Sequence, residues 1–431
     1  MRIIGRVFIF FTHKDSTMHG FTRGLVLAMM LSTLPLSLQA QRPPSADWPQ
    51  WRGPNRDGSV GNFAAPAVWP ESLVQKWKIE VGTGYASPIV VADRVYVFSR
   101  RGDNEGMSAH DIVTGRELWR AGYSAPFTMH SAAVRHNQGP KSTPIFVNGT
   151  LLSIGMTGVV TAWDAATGQV RWRKPGSEPV PLYTSHAFSP LVDGNVAILH
   201  LGGHGGGALT ALDIATGNPK WSWTGDGPGY GSPIVATLGG TRQVITLTQT
   251  KIVGVDISSG ALLWERTVVT PSTNNSFTPI VHGQTVIVSA NGAPTVAFNA
   301  TKNGTQWTTT TLWENADIPL RLTNLVLVGD VLFGMGSRNA GQYFGADAKT
   351  GKTLWTSAGR QAGSAAIAKS GELLLSLEDD GDLVIAKASQ TAFEPLKKYK
   401  VAEGETWAEA VFTGNRILVK DLTHLTLWTL N

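Results

Sequence analysis

The chain has 431 residues, with 42% hydrophobic and 16% charged residues, 48 Gly, 23 Pro and no Cys. This composition indicates a globular protein with many turns and short strands, and within this sequence it excludes disulfides, thiolate metal sites and covalent haem attachment. The formal net charge of +5 falls to +2 once residues 1–40, with four Lys or Arg and one Asp, are set aside, leaving 32 bases and 30 acids. The basic balance is therefore no argument for nucleic-acid binding.

Residues 1–40 have the pattern of a cleaved export signal. From Met18, a candidate true start, a short basic stretch precedes the apolar "GLVLAMMLSTLPLSL" and a small-residue cleavage site ending at Ala40. A single-pass anchor is the alternative, but Pro35 interrupts the apolar run. No Cys follows the cleavage site. We therefore expect a periplasmic or secreted protein that is not a lipoprotein and has no transmembrane span after cleavage.

Residues 41–73 are predicted to form an N-terminal strap or linker. The strap contains "DWPQW", whose two tryptophans could stack on sugars. Packing of these rings against the body of the fold is the favoured interpretation.

A repeated phrase then dominates the chain. An Asp, three residues, a Gly, three residues and a Trp return five times. Because an Asp side chain can accept backbone N–H groups two residues on and Gly supplies a positive φ, this phrase predicts a turn. The Trp falls on the outermost strand, where it can fill the gap between adjacent sheets. We interpret the phrase as structural at Asp111, Gly115, Trp119, Asp164, Gly168, Trp172, Asp213, Gly217, Trp221, Asp256, Gly260, Trp264, Asp347, Gly351 and Trp355.

Eight four-strand units can be counted from residue 77 onward, at about 44 residues each, which is the blade length of β-propellers. The fifth and seventh units, "VAFNATKNGTQW" and "VIAKASQTAF", lack the repeated turn. The chain ends on a third strand, and "VQKWKIEVG" at 74–82 can supply the missing fourth. The sequence thus predicts an all-β fold, a single eight-bladed propeller of four-stranded antiparallel blades over 74–431, closed by an N-terminal strand.

The copies of "D-x-x-T-G-x-x-x-W", the "GPKSTP" that begins a blade and the opening "DWPQWRGPNRDG" at 47–58 resemble the PQQ-like (pyrroloquinoline-quinone repeat) propeller family. That superfamily includes quinoprotein dehydrogenases and non-catalytic scaffolds similar to BamB. The resemblance covers residues 47–431 and implies the fold; it does not imply one activity.

In a propeller, the loops between second and third strands share a face with the crossovers between blades, and the repeated turns lie on the other face. We name the first the loop-rich face and expect a ligand or partner there. Six of the eight His outside the leader fall on it, at 130, 136, 186, 200, 204 and 424. The candidate residues of this face are Arg100, Arg101, Asp103, Glu105, His130, His186, His200, His204, Arg321, Asn324, Arg338 and Glu409.

One small polar or acidic residue begins each innermost strand, and together these residues should form a ring at the channel mouth. The ring comprises Ser87, Thr143, Ser189, Ser232, Thr278, Asn324, Ser364 and Glu409. These side chains can simply cap strand ends and hold channel water. Asn324 and Glu409 depart from the hydroxyl pattern, so they are the candidates for a ligand contact.

Two further motifs give weaker indications of a site, in both cases for a metal ion. "HLGGHGGG" at 200–207 could present two imidazoles to a metal, but no supporting carboxylate is close in sequence. "LEDDGD" at 377–382 lacks the spacing of an EF-hand loop and is read as a solvated turn. We predict no metal site.

Three functions remain open. The favoured one is an exported, non-catalytic scaffold, expected to be monomeric, that binds a protein partner of the cell envelope. The resemblance also implies a PQQ-dependent dehydrogenase, a class that holds PQQ near the channel mouth with Ca²⁺ beside it, a Trp beneath it and an Asp base. Its typical vicinal Cys pair is absent here, and no local motif fixes the Ca²⁺ ligands. The third is a propeller that binds a sugar or peptide. We expect no cofactor.

Overall fold

The computed structural model describes residues 47–431 apart from 177–179, 182, 184, 269, 271–274 and 321. The predicted export signal lies outside these residues. Within the described part, 32 strands form eight four-stranded antiparallel sheets. The predicted eight-bladed propeller is confirmed.

Each blade runs from an inner to an outer strand. Blade 1 contains β2 (Ile89–Val91), β3 (Arg94–Arg101), β4 (Asn104–Asp111) and β5 (Glu117–Ser124). Blade 2 contains β6 (Ile145–Val147), β7 (Thr150–Ile154), β8 (Val160–Asp164) and β9 (Val170–Lys174). Blade 3 contains β10 (Leu191–Asp193), β11 (Val196–Leu201), β12 (Ala208–Asp213) and β13 (Pro219–Trp223). Blade 4 contains β14 (Ile234–Leu238), β15 (Thr241–Leu247), β16 (Lys251–Asp256) and β17 (Leu262–Thr267).

The second half repeats this order. Blade 5 contains β18 (Ile280–His282), β19 (Thr285–Val288), β20 (Thr295–Asn303) and β21 (Gln306–Asn315). Blade 6 contains β22 (Val326–Val328), β23 (Val331–Gly336), β24 (Gln342–Asp347) and β25 (Thr353–Thr356). Blade 7 contains β26 (Ala365–Ser370), β27 (Leu373–Glu378), β28 (Asp382–Lys387) and β29 (Glu394–Lys400). Two short 3-10 helices, Ser131–His136 and Arg338–Ala340, lie in the loops.

Blade 8 closes the ring, as predicted. It contains β30 (Val411–Thr413), β31 (Arg416–Lys420) and β32 (His424–Thr429), and its outer strand is β1 (Val74–Glu80) from the other end of the chain. β1 pairs antiparallel with β32 from Val74 opposite Thr429 to Glu80 opposite His424. The closure removes the unpaired edge that an open array would leave.

The repeated turn has the predicted geometry. In blade 1, Asp111 Oδ1 accepts the N–H groups of Val113 and Thr114 at 3.0 and 2.8 Å. Gly115 has φ +72°, and a Cβ there would lie 2.9 Å from the Trp77 ring of the preceding outer strand. The Trp77 indole donates to Ile112 O at 3.2 Å. Gly is therefore needed both for the turn and for the approach of the indole, and each such turn joins two blades.

Blade 5 shows what happens when the turn is lost. Its β20–β21 hairpin is extended, and Asn299 stands where blades 1–4 and 6 have Asp. The Trp264 indole of blade 4 has no such turn to bind. It donates instead to Gln243 Oε1 in its own blade at 2.6 Å, with its ring edge-on to Phe298 at 5.5 Å.

We expect Gly168→Ala to destabilise the fold more than Gly194→Ala does. Both glycines have positive φ, +77° and +58°, so each substitution strains the backbone by about 1–2 kcal/mol. Only at Gly168 would the new Cβ also overlap the Trp119 ring, at 2.4 Å, whereas nothing lies within 4 Å at Gly194. The overlap adds roughly 1–3 kcal/mol. Urea denaturation measures the loss of stability in both variants. Equal losses would contradict the claim that the close contact of this turn with the Trp119 ring holds two blades together.

The strap enters the central channel. We define residues 47–63 as the plug. Trp48 is buried and pairs with Val90 on inner strand β2, with N–H···O distances of 2.7 and 2.9 Å in the two directions. Farther along, Val60 N–H donates to Lys369 O on inner strand β26 at 2.8 Å. The plug thus runs along blade 1, turns, and returns along blade 7.

Candidate functional site at the channel mouth

Seven of the eight predicted ring residues form a chain of six hydrogen bonds, which runs from blade 8 through blades 1 to 6. The backbone N–H that begins one inner strand donates to the side-chain oxygen that begins the next, at 2.8–3.3 Å. The acceptors, starting from Glu409 N–H, are Ser87, Thr143, Ser189, Ser232, Thr278 and Asn324. Because backbone groups engage these oxygens, the ring holds adjacent blades in register.

Glu409, one of the two departures from the hydroxyl pattern, binds the plug. Its Oε2 accepts the Arg52 N–H at 2.9 Å, and its Oε1 lies 3.8 Å from Arg52 Nε. Both side chains are buried. Burial raises the pKa of Glu409 to about 7, against the opposing effect of Arg52. Arg52 Nη2 also donates to Leu325 O in blade 6 at 2.5 Å.

A second buried arginine caps the backbone at the starts of two inner strands. Arg56 donates from Nη2 to Ser189 O at 3.1 Å, from Nη1 to Pro190 O at 2.9 Å and from Nε to Pro233 O at 3.2 Å. Burial lowers the pKa of Arg56 to about 9. The plug therefore reaches blades 3 and 4 as well and is fastened to the propeller by both guanidinium groups.

A cavity of about 380 Å³ lies at the channel mouth, between the plug and the crossovers. Trp51 of the plug lies on one side, and its indole is 3.4 Å from Thr278 Oγ1 of the inner ring. Crossover residues provide the other walls. The described residues that line the cavity are Trp51, Tyr85, Ala132, Ala133, His136, Lys141, Tyr183, Ala187, Tyr230, Ser232, Ser276, Thr278, Asn291, Leu322, Asn324 and Trp407. None of these is a carboxylate.

Lys141 supplies a positive charge to this wall. Its ammonium donates to Asn137 O at 3.1 Å and to Gly139 O at 3.2 Å. Burial lowers the pKa of Lys141 to about 8, while the charge of Glu105 raises it. The ammonium is therefore mostly protonated at neutral pH.

The predicted charges in the first blade do not line this cavity. Arg100 and Glu105 are buried, with Arg100 Nη1 3.8 Å from Glu105 Oε1. Glu105 also accepts the Met156 N–H at 3.1 Å, and burial raises its pKa. Asp103 pairs with Arg100 at 3.0 Å from the exposed hairpin tip. Arg101 is exposed and donates to Glu80 O.

Three of the predicted histidines have buried ring nitrogens without a hydrogen-bond partner: Nε2 of His186, Nδ1 of His200 and Nε2 of His204. Burial lowers the pKa of His186 to about 3 and that of His200 to about 4. It also lowers the pKa of His204. His200 Nε2 lies 3.0 Å from Asp226 O. The rings of His186 and His200 are therefore uncharged at neutral pH. His200 lies on strand β11, and His186 and His204 lie in loops.

The remaining predicted residues are dispersed. His130 is exposed, accepts the Ala132 N–H at 3.2 Å and lies edge-on to Tyr183. Arg338 forms an exposed pair with Asp317 at 2.9 Å. Asn324 lines the cavity. Arg321 lies outside the described residues.

Among the described residues, Glu378, Asp380 and Asp382 are the group of carboxylates close enough to share one ion. Lys398 Nζ lies 3.0 Å from Glu378 Oε2 and 2.7 Å from Asp382 Oδ2. The Lys398 ammonium therefore already pairs with two of these three carboxylates.

The cavity's main residues were missed from the sequence. Lys141 was noted only within "GPKSTP", as the start of a blade, and Trp51 only as a strap aromatic. Tyr85 and Trp407 come from crossovers far apart in sequence, and the centroids of their rings lie 6.2 Å apart. A usable signal was the presence of aromatics in several crossovers, since those loops converge on one mouth.

The fold and site define an eight-bladed propeller whose channel is filled by its own N-terminal segment. The family described as outer membrane protein assembly factor BamB matches residues 103–357, and the chain belongs to that family.

A BamB of Burkholderia pseudomallei is 26% identical over 300 residues, covering 59% of this chain and 74% of that protein. Among solved structures, BamB from Moraxella catarrhalis matches with TM-score 0.59 and 18% identity, over 83% of this chain and 97% of that one. The quinohemoprotein alcohol dehydrogenase of Comamonas testosteroni matches with TM-score 0.67 and 14% identity, over 89% of this chain and 80% of that one. At such identities the two structures show the fold alone. In the described residues no helix is long and apolar enough to cross a membrane.

Proposed function

We propose that this protein is an exported, non-catalytic scaffold that binds a protein of the cell envelope through its loop-rich face. The Burkholderia pseudomallei relative is named as a factor in the assembly of outer membrane proteins, and we propose the same setting here. The observation that carries the proposal is the plug, because it fastens the inner strands together from within the channel. A rigid ring displays its loops with little ordering cost on binding.

The alternative is a PQQ-dependent dehydrogenase, and the lining of the cavity does not fit it. Trp51 could lie beneath a quinone, and Lys141 could face its charge. Ca²⁺, however, takes six to eight oxygen ligands, with carboxylates prominent among them. The described lining residues include no carboxylate to hold Ca²⁺ or to act as the base. We therefore propose that the protein works without this cofactor.

Thermal unfolding with PQQ, Ca²⁺, both or neither separates these alternatives. Binding to the native state alone at one hundred times Kd would add about 2.7 kcal/mol to the free energy of unfolding. We expect no shift of Tm under any condition. A shift that requires PQQ and Ca²⁺ together would establish the dehydrogenase alternative.

Charge reversal on one face tests the scaffold directly. Arg101 and Arg338 are exposed on the loop-rich face, whereas Arg116 and Lys352 are exposed at the repeated turns. In cells lacking the chromosomal copy, we expect the double variant Arg101→Glu with Arg338→Glu to lower the level of folded outer membrane proteins. The matched control, Arg116→Glu with Lys352→Glu, should restore it fully. Equal activity of the two double variants would contradict a role for the loop-rich face.

A further inference from the structure

We propose that the protein dimerises by pairing the outer strand of blade 5, β21, with the same strand of a second copy, antiparallel about a twofold axis at Thr309. This pairing leaves the loop-rich face free, so the inference goes beyond the proposed function and does not depend on it.

Strand β21 ends its sheet with an open backbone edge. It runs over ten residues from Gln306 to Asn315 and is the longest strand in the described part of the chain. Its backbone pairs with β20, and within the described residues it makes no backbone hydrogen bond to any other segment. Thr308, Thr310 and Thr311 are exposed. An edge of this kind is a template for a further strand.

β21 lacks the features that protect the other outer strands from pairing. Proteins keep edge strands single with charged side chains, with proline or by making the strand short. Of the other seven outer strands described, β25 has only four residues. The remaining six carry charges, some with Pro as well: β1 (VQKWKIE), β5 (ELWRAGYS), β9 (VRWRK), β13 (PKWSW), β17 (LLWERT) and β29 (EPLKKYK). Residues 306–313 of β21, "QWTTTTLW", contain no charge and no Pro.

The turn at the tip of the β20–β21 hairpin decides which backbone groups face outward. Asn303 and Gln306 pair across a two-residue turn, in which Gly304 has φ +62°. The residues that flank such a turn exchange hydrogen bonds, and hydrogen-bonded pairs then alternate along the ladder. The N–H and C=O groups of Gln306 and of every second residue after it therefore point to β20. The outward groups belong to Trp307, Thr309 and Thr311.

A twofold axis perpendicular to the sheet at Thr309 uses all of these outward groups. Thr309 then lies opposite Thr309 of the second copy, and Trp307 lies opposite Thr311 on either side of the axis. Each of these three pairs exchanges two N–H···O bonds, so about six backbone hydrogen bonds cross the interface. In the pairs between them, Thr308 lies opposite Thr310. Thr–Thr pairs across strands are favourable, and in this register no charge meets a like charge.

The hairpin is already held in place, so pairing orders little. The Lys302 ammonium donates to Thr241 Oγ1 at 3.2 Å, and Arg266 Nη2 donates to Thr311 Oγ1 at 2.8 Å. Both contacts join the hairpin to blade 4. The register with β20 is regular from Gln306 to Thr311. A strand fixed in this way loses little conformational freedom when a second strand binds.

The pairing closes on itself and is weak. Because the same edge is used by both copies, one partner saturates it, and a dimer forms rather than an open fibre. The paired strands are antiparallel, so the two loop-rich faces point in opposite directions. The strand engages far fewer than the roughly 20–30 residues a side of a standard interface, so we expect a Kd between about 1 and about 100 µM.

Sedimentation equilibrium of the full chain, purified as cells process it, tests the inference. Between about 1 and about 200 µM we expect the mean mass to rise from that of one chain toward that of two, and no further. A mass that stays at one chain over the whole range is the monomer expected from the sequence, and it would overturn the inference. Growth beyond two chains would also overturn it.

Substitutions at Thr309 assign the dimer to β21. Thr309→Lys would place two ammonium groups opposite each other and should weaken the dimer at least about tenfold. Thr309→Val keeps the β-branched shape and the backbone pairing, so its Kd should stay within about threefold of the wild-type value. Thr356→Lys adds the same charge at an exposed position of the outer strand of blade 6 and should leave the Kd unchanged. With an unaltered Tm, a Thr309→Lys variant that dimerises like the wild type would overturn the inference.

A charge swap tests the position of the twofold axis. Thr309→Lys and Thr309→Glu should each stay monomeric alone, because each places like charges opposite each other at the axis. An equal mixture of the two should dimerise again, since Lys and Glu then lie opposite each other. A mixture that remains monomeric would overturn the pairing at Thr309.

Discussion

Arg52→Met is expected to lower the free energy of unfolding by about 3–5 kcal/mol, because it removes one partner of a buried ion pair. Arg52 contacts the Glu409 carboxylate and donates to Leu325 O, and each of these contacts ties the plug to a blade. Without the guanidinium, Glu409 would remain buried and its pKa would rise above the present value of about 7. Urea denaturation at neutral pH measures the loss.

Two controls make the interpretation specific. Arg338→Met removes an exposed partner of Asp317 and should cost no more than about 1 kcal/mol. In the double variant Arg52→Met with Glu409→Gln, the second substitution should recover part of the loss, because no buried carboxylate is then left unpaired. If Arg52→Met is no more harmful than Arg338→Met, the plug does not hold the ring together.

Acidification is expected to destabilise the protein through the buried His186 and His200. The pKa values of His186 and His200 are about 3 and about 4 in the folded chain, well below the ordinary value of about 6.5. At pH values between about 6.5 and these lower pKa values, the histidines bind protons in the unfolded chain but not in the folded one. The free energy of unfolding therefore falls as pH drops below about 6.5. Each histidine contributes up to about 1.4 kcal/mol per pH unit, or roughly 2–3 kcal/mol by pH ~4.5.

The contribution of His186 is measured by comparing wild type with a variant, because the titration of Glu409 changes the stability in the opposite direction. Its raised pKa means that the folded chain binds the extra proton between about 4.5 and 7, so protonation there stabilises the fold. The difference between wild type and His186→Phe isolates the histidine, since any cost of the substitution that does not depend on pH cancels. Urea denaturation at pH ~7 and ~4.5 should show a smaller acid loss in His186→Phe by about 2–3 kcal/mol. An identical loss in both proteins would contradict a neutral, buried His186.

The ring could be predicted from the sequence because each blade buries its faces only against its neighbours, so a turn that joins blades must recur. Closure followed from a missing last strand and a spare first one. The same reasoning could not predict contacts between the repeated blades and a segment that has no repeat. Arg52 and Arg56 stand in a stretch with no repeat, and their partners lie in blades 3, 4, 6 and 8.

The loop charges show a second limit. Arg100 and Glu105 were placed in a loop of the loop-rich face, yet the β3–β4 turn is so tight that both residues lie opposite each other on the strands. Alternation then turns both side chains inward, where they pair with each other. A short hairpin and a long one look alike when only their polar residues are counted.

Site-specific photo-crosslinking in living cells tests the central proposal, binding through the loop-rich face, most directly. A photoreactive phenylalanine analogue replaces Arg101, Asp103 or Arg338 on the loop-rich face, and Val113, Arg116 or Lys352 on the turn face, all of them exposed. We predict that the loop-rich positions crosslink to a discrete envelope protein and that the turn-face positions do not. Equal crosslinking from both faces, or crosslinking from the turn face alone, would contradict it.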